Sequence, residues 1–77
     1  MMATLRMAVV GVGAHETSRA RGYLATIQKL TDLYNLCALC DHSEQSLQAA
    51  GEQFGVARRN TDVEKMLEAE NPDVVFV

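Results

Sequence analysis

The 77-residue sequence is poor in several residue types, and each scarcity excludes a class of protein. It has no tryptophan, one proline and two cysteines, which excludes a collagen-like chain and a small scaffold held by many disulfides. No apolar run approaches the roughly 20 residues that a membrane-spanning helix needs. The first residues also lack the charged segment and long apolar core of a secretory signal. These absences predict a cytoplasmic protein that does not enter a membrane.

The remaining composition is that of an ordinary globular protein. Hydrophobic residues make up 48% of the chain and charged residues 22%, a balance that excludes a disordered tail. The formal net charge is −3, which argues against a nucleic-acid partner, since surfaces that bind nucleic acid are basic. A chain of this length forms one small domain at most. We therefore expect a single globular unit without a nucleic-acid partner.

Short apolar runs recur along the chain and predict the strands of a sheet. Residues 6–10, 34–40 and 73–77 are mostly apolar, which is typical of strands buried on both faces. Residues 56–58 form a weaker candidate for a short third strand. The apolar runs alternate with segments of helical periodicity, so the expected order is β-α-β-α-β-α-β. This order predicts a partial Rossmann fold, a doubly wound parallel sheet in which the last strand lies beside the first.

The segments between the strands have apolar residues at intervals of three and four, the period of a helix. They begin near Thr17, Ser43 and Thr61. Ser43 is a suitable N-cap, and Thr61 followed by Glu64 has the spacing of a capping box, in which each side chain bonds the other's amide. The inward face of the third helix is predicted to be Val63, Met66 and Leu67.

A glycine turn after the first strand carries the main functional signal. Gly11 permits a tight turn, and Gly13 lacks a side chain, so a pyrophosphate can approach the backbone. The helix that follows directs free amides and the positive end of its dipole towards that phosphate. Asp41 ends the second strand and can accept hydrogen bonds from both ribose hydroxyls of an adenosine. The pattern predicts a nucleotide-binding site. The alternative is that the glycines only allow the chain to turn.

The turn departs from the G-x-G-x-x-G pattern because Glu16 occupies the third small position. The interval between the glycines and the acidic residue is also longer than usual for this unit. We therefore expect an extended glycine loop that runs through Ala14 and His15 before the helix begins. Gly22 is then expected to provide the close contact between helix and strand.

Four further polar residues have two interpretations each. His15 either contacts the phosphate or nicotinamide side of the cofactor or is a polar loop residue. His42 either lies against the adenine or ribose or is an exposed turn residue. Arg58 and Arg59 either reach a 2′-phosphate or are solvated at an edge. The candidate cofactor-binding residues are Gly11, Gly13, Ala14, His15, Asp41 and His42, and no metal-binding residue is predicted.

Cys37 and Cys40 form a C-x-x-C, a spacing that redox and metal sites also use. Both fall in the second predicted strand, where residues three apart point to opposite faces. Diverging thiols can form neither a disulfide nor a shared zinc site. We expect two buried, separate thiols that behave as small apolar side chains.

Taken together, these motifs resemble the N-terminal part of the Gfo/Idh/MocA oxidoreductases, from Leu5 to Val77. The specific features are the Cys-Asp end of the second strand, Phe-Gly-Val after the second helix, Thr-Asp at the third helix and Asn-Pro-Asp-Val-Val at the last strand. The resemblance implies a Rossmann domain and a second α/β domain, NAD or NADP, hydride transfer to or from a sugar, inositol or related hydroxyl substrate, and a homo-oligomer. It places the family's cofactor positions on Gly11, Gly13 and Asp41.

We therefore predict that residues 1–77 are the incomplete N-terminal portion of the NAD(P)-binding Rossmann domain of an oxidoreductase. Asp41 favours NAD over NADP, because a carboxylate repels a 2′-phosphate. The family's catalytic lysine lies in a Glu-Lys-Pro motif that this sequence lacks, so no catalytic residue is assigned. A non-catalytic nucleotide-binding module stays open as an alternative. A methyltransferase that uses S-adenosylmethionine ranks last, because Val9 and Val10 stand where such enzymes usually have an acidic residue.

Overall fold

A computed structural model describes residues 4–15 and 17–77 of the chain. Strands and helices alternate in this part, which confirms the predicted β-α-β-α-β-α-β order. Their bounds are β1 Leu5–Val10, α1 Arg19–Lys29, β2 Tyr34–Cys40, α2 Glu44–Phe54, β3 Arg59–Asn60, α3 Val63–Glu70 and β4 Val74–Phe76. None of the helices in the described ranges has the length and apolar character needed to cross a membrane.

The strands form one parallel sheet in the order β3-β2-β1-β4. This arrangement confirms the doubly wound fold and the predicted place of β4 beside β1. Because all strands run the same way, the segments that follow them emerge at one edge of the sheet. Val10 pairs with Cys40 at the ends of β1 and β2, so the glycine turn and Asp41 begin side by side.

The helices cover both faces of the sheet, and each face has its own apolar cluster. Helices α1 and α2 lie on one face, where the buried cluster consists of Met7, Val9, Val12, Leu24, Ile27, Leu39, Leu47, Ala50, Phe54 and Val56. Helix α3 lies on the other face, where the buried cluster consists of Ala8, Ala38, Cys40 and Met66. The strand residues of this second cluster are all small.

A bulge in β2 changes the placement of the two cysteines. The pairing of β1 with β2 shifts by one residue opposite the step from Met7 to Ala8, which leaves Cys37 as the extra residue. A bulge breaks the alternation of side chains along a strand. Cys37 therefore packs against the same α3-side cluster as Cys40, and the predicted divergence of the two thiols is wrong. Both thiols are free, and burial is the main cause that raises the pKa of each.

The helix N-caps agree with the sequence at α2 and differ at α3. The Ser43 hydroxyl accepts a hydrogen bond from the Ser46 amide at 3.3 Å, as the predicted cap requires. At α3 the N-cap is Asp62, whose Oδ1 accepts from the Lys65 amide at 3.2 Å, so the predicted capping box at Thr61 is wrong. An ionised carboxylate has the advantage over a hydroxyl at the positive end of a helix dipole.

Strand β3 lies at Arg59–Asn60, later than the predicted residues 56–58. The Val56 amide donates to the Gly51 carbonyl at 2.9 Å, so this residue still completes the end of α2. Its side chain is buried with the α1/α2-side cluster. Pairing with β2 starts two residues further along the chain, where the Arg58 carbonyl accepts from the Leu39 amide at 3.0 Å.

Two predicted apolar faces are more exposed than expected. Of the three inward residues predicted for α3, Met66 is buried, whereas Val63 and Leu67 are exposed. The helix has eight residues, and a short helix lying on a sheet buries a single narrow stripe. In β4, Val75 and Phe76 are exposed, so the prediction that this strand is buried on both faces is wrong. Within the described residues β4 pairs on one side, with β1.

Candidate functional site

Two glycines in the left-handed region shape the turn after β1. Gly11 has φ +88° and Gly13 has φ +82°, values that side chains with a β-carbon rarely adopt. The Gly11 amide donates to the Cys40 carbonyl at 2.8 Å, which holds the start of the turn against the end of β2. A β-carbon added to Gly11 would meet no atom within 4 Å. The backbone at Gly11 is therefore open on that side.

Gly13 lies where the loop meets the start of α1. A β-carbon added there would lie 2.6 Å from Cβ of Ser18 and 3.4 Å from Cβ of Ala20. Gly13 thus makes a close contact between the loop and the start of α1. The close helix–strand contact that we predicted for Gly22 is wrong, because Gly22 is exposed and would admit a β-carbon without any contact within 4 Å. Ser18 supplies the small residue on the helix side of this contact. Glu16, where the pattern departs from the motif, lies outside the described residues.

Ala14 and His15 form an exposed turn that leads into α1. The His15 amide donates to Oγ of Ser18 at 3.0 Å, and the Ser18 amide donates back to the His15 carbonyl at 2.9 Å. Ser18 occupies the N-cap position of α1, but its hydroxyl makes no side-chain cap bond to the helix. The Ser18 hydroxyl therefore does not occupy the amides at this helix end, which favours an anion there.

Asp41 is nearly buried, and its carboxylate joins the glycine turn to the start of α2. Its Oδ2 accepts from the Val12 amide at 2.9 Å, and its Oδ1 accepts from the Ser43 amide at 2.9 Å. Burial alone would raise the pKa of Asp41. The two amide hydrogen bonds, with smaller contributions from His42 and Arg21, outweigh burial and lower the pKa below its ordinary value of 3.8. Asp41 is therefore ionised at neutral pH.

His42 follows Asp41, and its side chain is 99% exposed, with Nδ1 3.5 Å from Oδ1 of Asp41. The two arginines considered for a 2′-phosphate are engaged elsewhere. The Arg58 guanidinium donates to the Glu70 carboxylate at 2.9 Å, and Arg59 donates from Nε to the Val56 carbonyl at 2.8 Å. Glu70 is the last residue of α3, and Val56 precedes β3.

Arg21 is the functional candidate that the sequence reasoning missed. It is 3% exposed, although it carries a charge. Its Nε donates to the Val12 carbonyl at 2.8 Å and its Nη2 to the Gly13 carbonyl at 3.0 Å, while Nη1 donates to Oε1 of Gln53 at 2.6 Å. A signal exists in the spacing, because Arg21 lies three residues before Leu24 and thus on the buried face of α1.

A cleft opens beside the turn, between the loop and the first half of α2. Its volume is about 470 Å³, and its lining comprises Ala14, His15, Ser43, Gln45, Ser46 and Ala49. Of the six predicted cofactor residues, five lie in the turn or at the adjoining strand end, and His42 directs its side chain to solvent beside them. In the ranges 4–15 and 17–77, no three His, Cys, Asp or Glu side chains come together as metal ligands.

The arrangement combines open backbone, a helix N-terminus and an ionised carboxylate at one edge of a parallel sheet. Backbone amides and a helix dipole bind anions such as phosphate. A carboxylate accepts hydrogen bonds from vicinal hydroxyls, and each of its oxygens has a further lone pair beside the amide that it already binds. The residues present therefore suit a nucleotide that carries both phosphate and ribose.

Solved structures with the same fold include several dehydrogenases. A probable dehydrogenase from Thermotoga maritima is 31% identical, with a TM-score of 0.73 over 92% of this chain and 20% of that one. The WlbA dehydrogenase from Chromobacterium violaceum, in complex with NADH and UDP-GlcNAcA, is 29% identical, with a TM-score of 0.80 over 94% of this chain and 19% of that one. The WlbA dehydrogenase from Bordetella pertussis is 26% identical, with a TM-score of 0.82 over 95% of this chain and 21% of that one.

The chain thus spans about a fifth of the length of these solved relatives. The search of curated proteins found no match. A comparison with protein families matches residues 5–77 to an oxidoreductase family with an NAD-binding Rossmann fold. This match covers nearly all of the chain and agrees with the predicted family and with NAD as the predicted cofactor. The chain belongs to the Gfo/Idh/MocA family of oxidoreductases.

Proposed function

We propose that the chain binds NAD at the glycine turn and Asp41, and that the whole protein is an NAD-dependent dehydrogenase of a sugar or related hydroxyl compound. The observation that carries the proposal is the 2.9 Å hydrogen bond from the Val12 amide to Asp41, which holds an ionised carboxylate against the turn. Family membership supports the coenzyme.

The pyrophosphate is assigned to the turn from Gly11 to His15. The open side of Gly11 gives it room, and the N-terminus of α1 adds a favourable dipole. His15 is exposed beside this path and lines the adjacent cleft. Gly13 contributes its backbone to this site. It must be a glycine because a β-carbon would collide with Ser18.

The adenosine ribose is assigned to Asp41. The carboxylate oxygens already accept one amide each, and their remaining lone pairs suit the 2′ and 3′ hydroxyls. An added 2′-phosphate would meet the charge of Asp41, so NAD is favoured over NADP. His42 is free to lie against the ribose or the adenine.

When bound, NAD supplies hydride transfer, and the protein binds and orients it. The residues of this chain are assigned to that binding role, and none of them is assigned to catalysis. The complex of a WlbA dehydrogenase with UDP-GlcNAcA supports a sugar-like substrate. We further propose that residues 1–77 are the first part of a larger NAD-binding domain in a cytoplasmic homo-oligomer. The methyltransferase alternative is not favoured by the family match.

The proposal is tested by titrating NADH and NADPH into the protein as it is naturally produced, with intrinsic or coenzyme fluorescence as the signal. We expect NADH to bind more tightly, and Asp41→Asn to bring the two affinities closer together. The matched control is Asp32→Asn, an exposed aspartate in the turn between α1 and β2. Tighter binding of NADPH, or an unchanged ratio in Asp41→Asn, would contradict the assignment of Asp41. NADH binding without turnover of any sugar-like substrate would support the non-catalytic alternative.

A further inference from the structure

We infer that Arg21 positions the phosphate-binding amides of the glycine turn without itself touching the cofactor. This inference rests on the proposed function, because it assumes that the pyrophosphate lies on the turn. Its basis is the pair of bonds from one guanidinium to the successive carbonyls of Val12 and Gly13.

Among the residues that the structure describes, the partners of Arg21 are main-chain carbonyls and one side-chain amide. The side chain is 3% exposed, and a buried cation without partners would be costly. Its acceptors within the described residues are all neutral: the Val12, Gly13 and Ser46 carbonyls and the Gln53 side-chain amide. The planar guanidinium presents several donors in a fixed fork, so it can hold adjacent carbonyls in one relative orientation.

The two carbonyls determine where the next two amides point. In a trans peptide the C=O and the N–H of the following residue lie in one plane and point in opposite directions, and no peptide bond in the described residues is cis. The Val12 and Gly13 carbonyls point towards Arg21, so the N–H groups of Gly13 and Ala14 point away from it. Neither amide donates to an acceptor among residues 4–15 and 17–77. As regards the described residues, both amides are therefore available to an anion on the outer side of the turn.

Asp41 holds the same segment from its other end. The Val12 amide donates to Asp41 while the Val12 carbonyl accepts from Arg21, so both peptide groups of this residue are fixed. Glycine-rich turns have many conformations to lose, and fixing one before the ligand arrives lowers the entropic cost of binding. Gln53 extends the support to α2 through its 2.6 Å bond with Nη1.

The test compares Arg21→Lys with Lys29→Arg in the naturally produced protein. Both changes keep the charge, but Lys29 is an exposed residue at the far end of the same helix. Three ligands are titrated by calorimetry: NADH and ADP, which contain a pyrophosphate, and adenosine, which does not. The three bonds come from three different guanidinium nitrogens, whereas a lysine has all its donors on one nitrogen. We therefore expect Arg21→Lys to weaken the binding of NADH and ADP about tenfold, or about 1.4 kcal/mol. The affinity of Arg21→Lys for adenosine, and the affinities of Lys29→Arg for all three ligands, are expected to stay within about twofold of the unaltered protein, or about 0.4 kcal/mol.

Selective loss of the pyrophosphate ligands is the outcome that a purely structural role would not produce. Equal weakening of ADP and adenosine would overturn the inference in favour of general destabilisation. Unchanged ADP affinity in Arg21→Lys would overturn it as well, while leaving the proposed function intact. Absence of NADH binding to the unaltered protein would overturn both proposals together.

A second variant keeps the inference testable if Arg21→Lys does not fold. Gln53→Met removes the bond to Nη1 but leaves the two bonds to the turn, and Gln53 lies on an exposed part of α2. We expect a loss of ADP affinity of about threefold, or about 0.7 kcal/mol, with adenosine unchanged. An ADP affinity equal to that of the unaltered protein would contradict the support that we assign to Gln53.

Discussion

The two ends of the sheet each contain an arginine that bonds main-chain carbonyls, yet they use it differently. At the carboxyl end, Arg21 and Asp41 do not pair with each other, and each bonds the backbone of the glycine turn. At the amino end, Arg6 and Arg58 both pair with Glu70, at 3.5 and 2.9 Å. At the amino end, opposite charges thus neutralise each other. At the carboxyl end, the charged side chains of Arg21 and Asp41 orient the backbone.

At the amino end of the sheet, hydrogen bonds join the segment between α3 and β4 to strand β1. The Arg6 amide donates to the Asp73 carboxylate at 2.8 Å, and the Asp73 amide donates to the Arg6 carbonyl at 2.9 Å. The Arg6 guanidinium also donates to the carbonyls of Glu70 and Asn71. These groups satisfy one another, so this end contributes to stability. The carboxyl end leaves amides directed outward, which is the property that a ligand site requires.

The largest expected effect comes from Gly13→Ala at the carboxyl end. The new β-carbon would lie 2.6 Å from Cβ of Ser18, at a backbone φ of +82°. We expect the free energy of unfolding to fall by at least about 2 kcal/mol, together with loss of NADH binding. Urea unfolding and NADH titration measure the two effects.

The control for Gly13→Ala is Gly22→Ala, at an exposed helical glycine with free space around it. Alanine there is expected to raise stability by up to about 1 kcal/mol, because it is the better helix former. A similar loss in both variants would contradict the special role of Gly13.

Asp41→Asn is expected to have the next largest effect, and one that depends on pH. The amide side chain cannot accept from both the Val12 and Ser43 amides, so stability at neutral pH should fall by about 1 to 3 kcal/mol. The pKa of Asp41 is lowered in the folded state, so the unfolded chain binds the proton first as pH falls. The contribution of the carboxylate is therefore complete above pH 3.8 and is lost as pH falls through the lowered pKa.

The measurement is urea unfolding of both forms at a series of pH values. The stability difference between the unaltered protein and Asp41→Asn should narrow on acidification, which separates Asp41 from the other carboxylates. A difference that stays constant down to the acid range would show that the amide bonds to Asp41 do not depend on its charge.

Glu70→Gln tests the amino end and should have a smaller effect. Arg6 and Arg58 lose their shared carboxylate, but both are partly exposed, so solvent screens the pairs. We expect a loss of about 0.5 to 1 kcal/mol in unfolding free energy, with NADH affinity unchanged. A marked loss of NADH affinity would show that the two ends are coupled, contrary to the division drawn between them.

Cys37→Ala is expected to have the smallest effect, because Cys37 lies between the two ends and is half-buried at the bulge. Its burial raises the pKa of the thiol, so the side chain is uncharged at neutral pH. We expect a change in stability below about 1 kcal/mol and no change in NADH affinity. Thermal unfolding monitored by circular dichroism measures the change in stability. A large loss of stability would indicate that the bulge depends on this thiol.

Much of the fold was predictable because its signals are local. The bounds of β2 agree with the predicted residues 34–40, since an apolar run there is followed by the acidic end of the strand. The bulge at Cys37 was not predictable, because it depends on how β2 pairs with β1. The cap at Asp62 was missed because Thr61 and Asp62 both suit an N-cap, and the course of the chain out of β3 selects one of them.

The candidate site divides in the same way. The sequence by itself determined the alternation of strands and helices, the two glycines that a tight turn needs, and the acidic residue that ends the second strand. Tertiary structure decided that Asp41 bonds the amide of Val12, 29 residues earlier, that Arg21 is buried beneath the turn, and that Gly13 rather than Gly22 makes the close contact. The physical reason is that these features depend on segments meeting across the sheet, and the periodicity of one segment does not record which other segment it will touch.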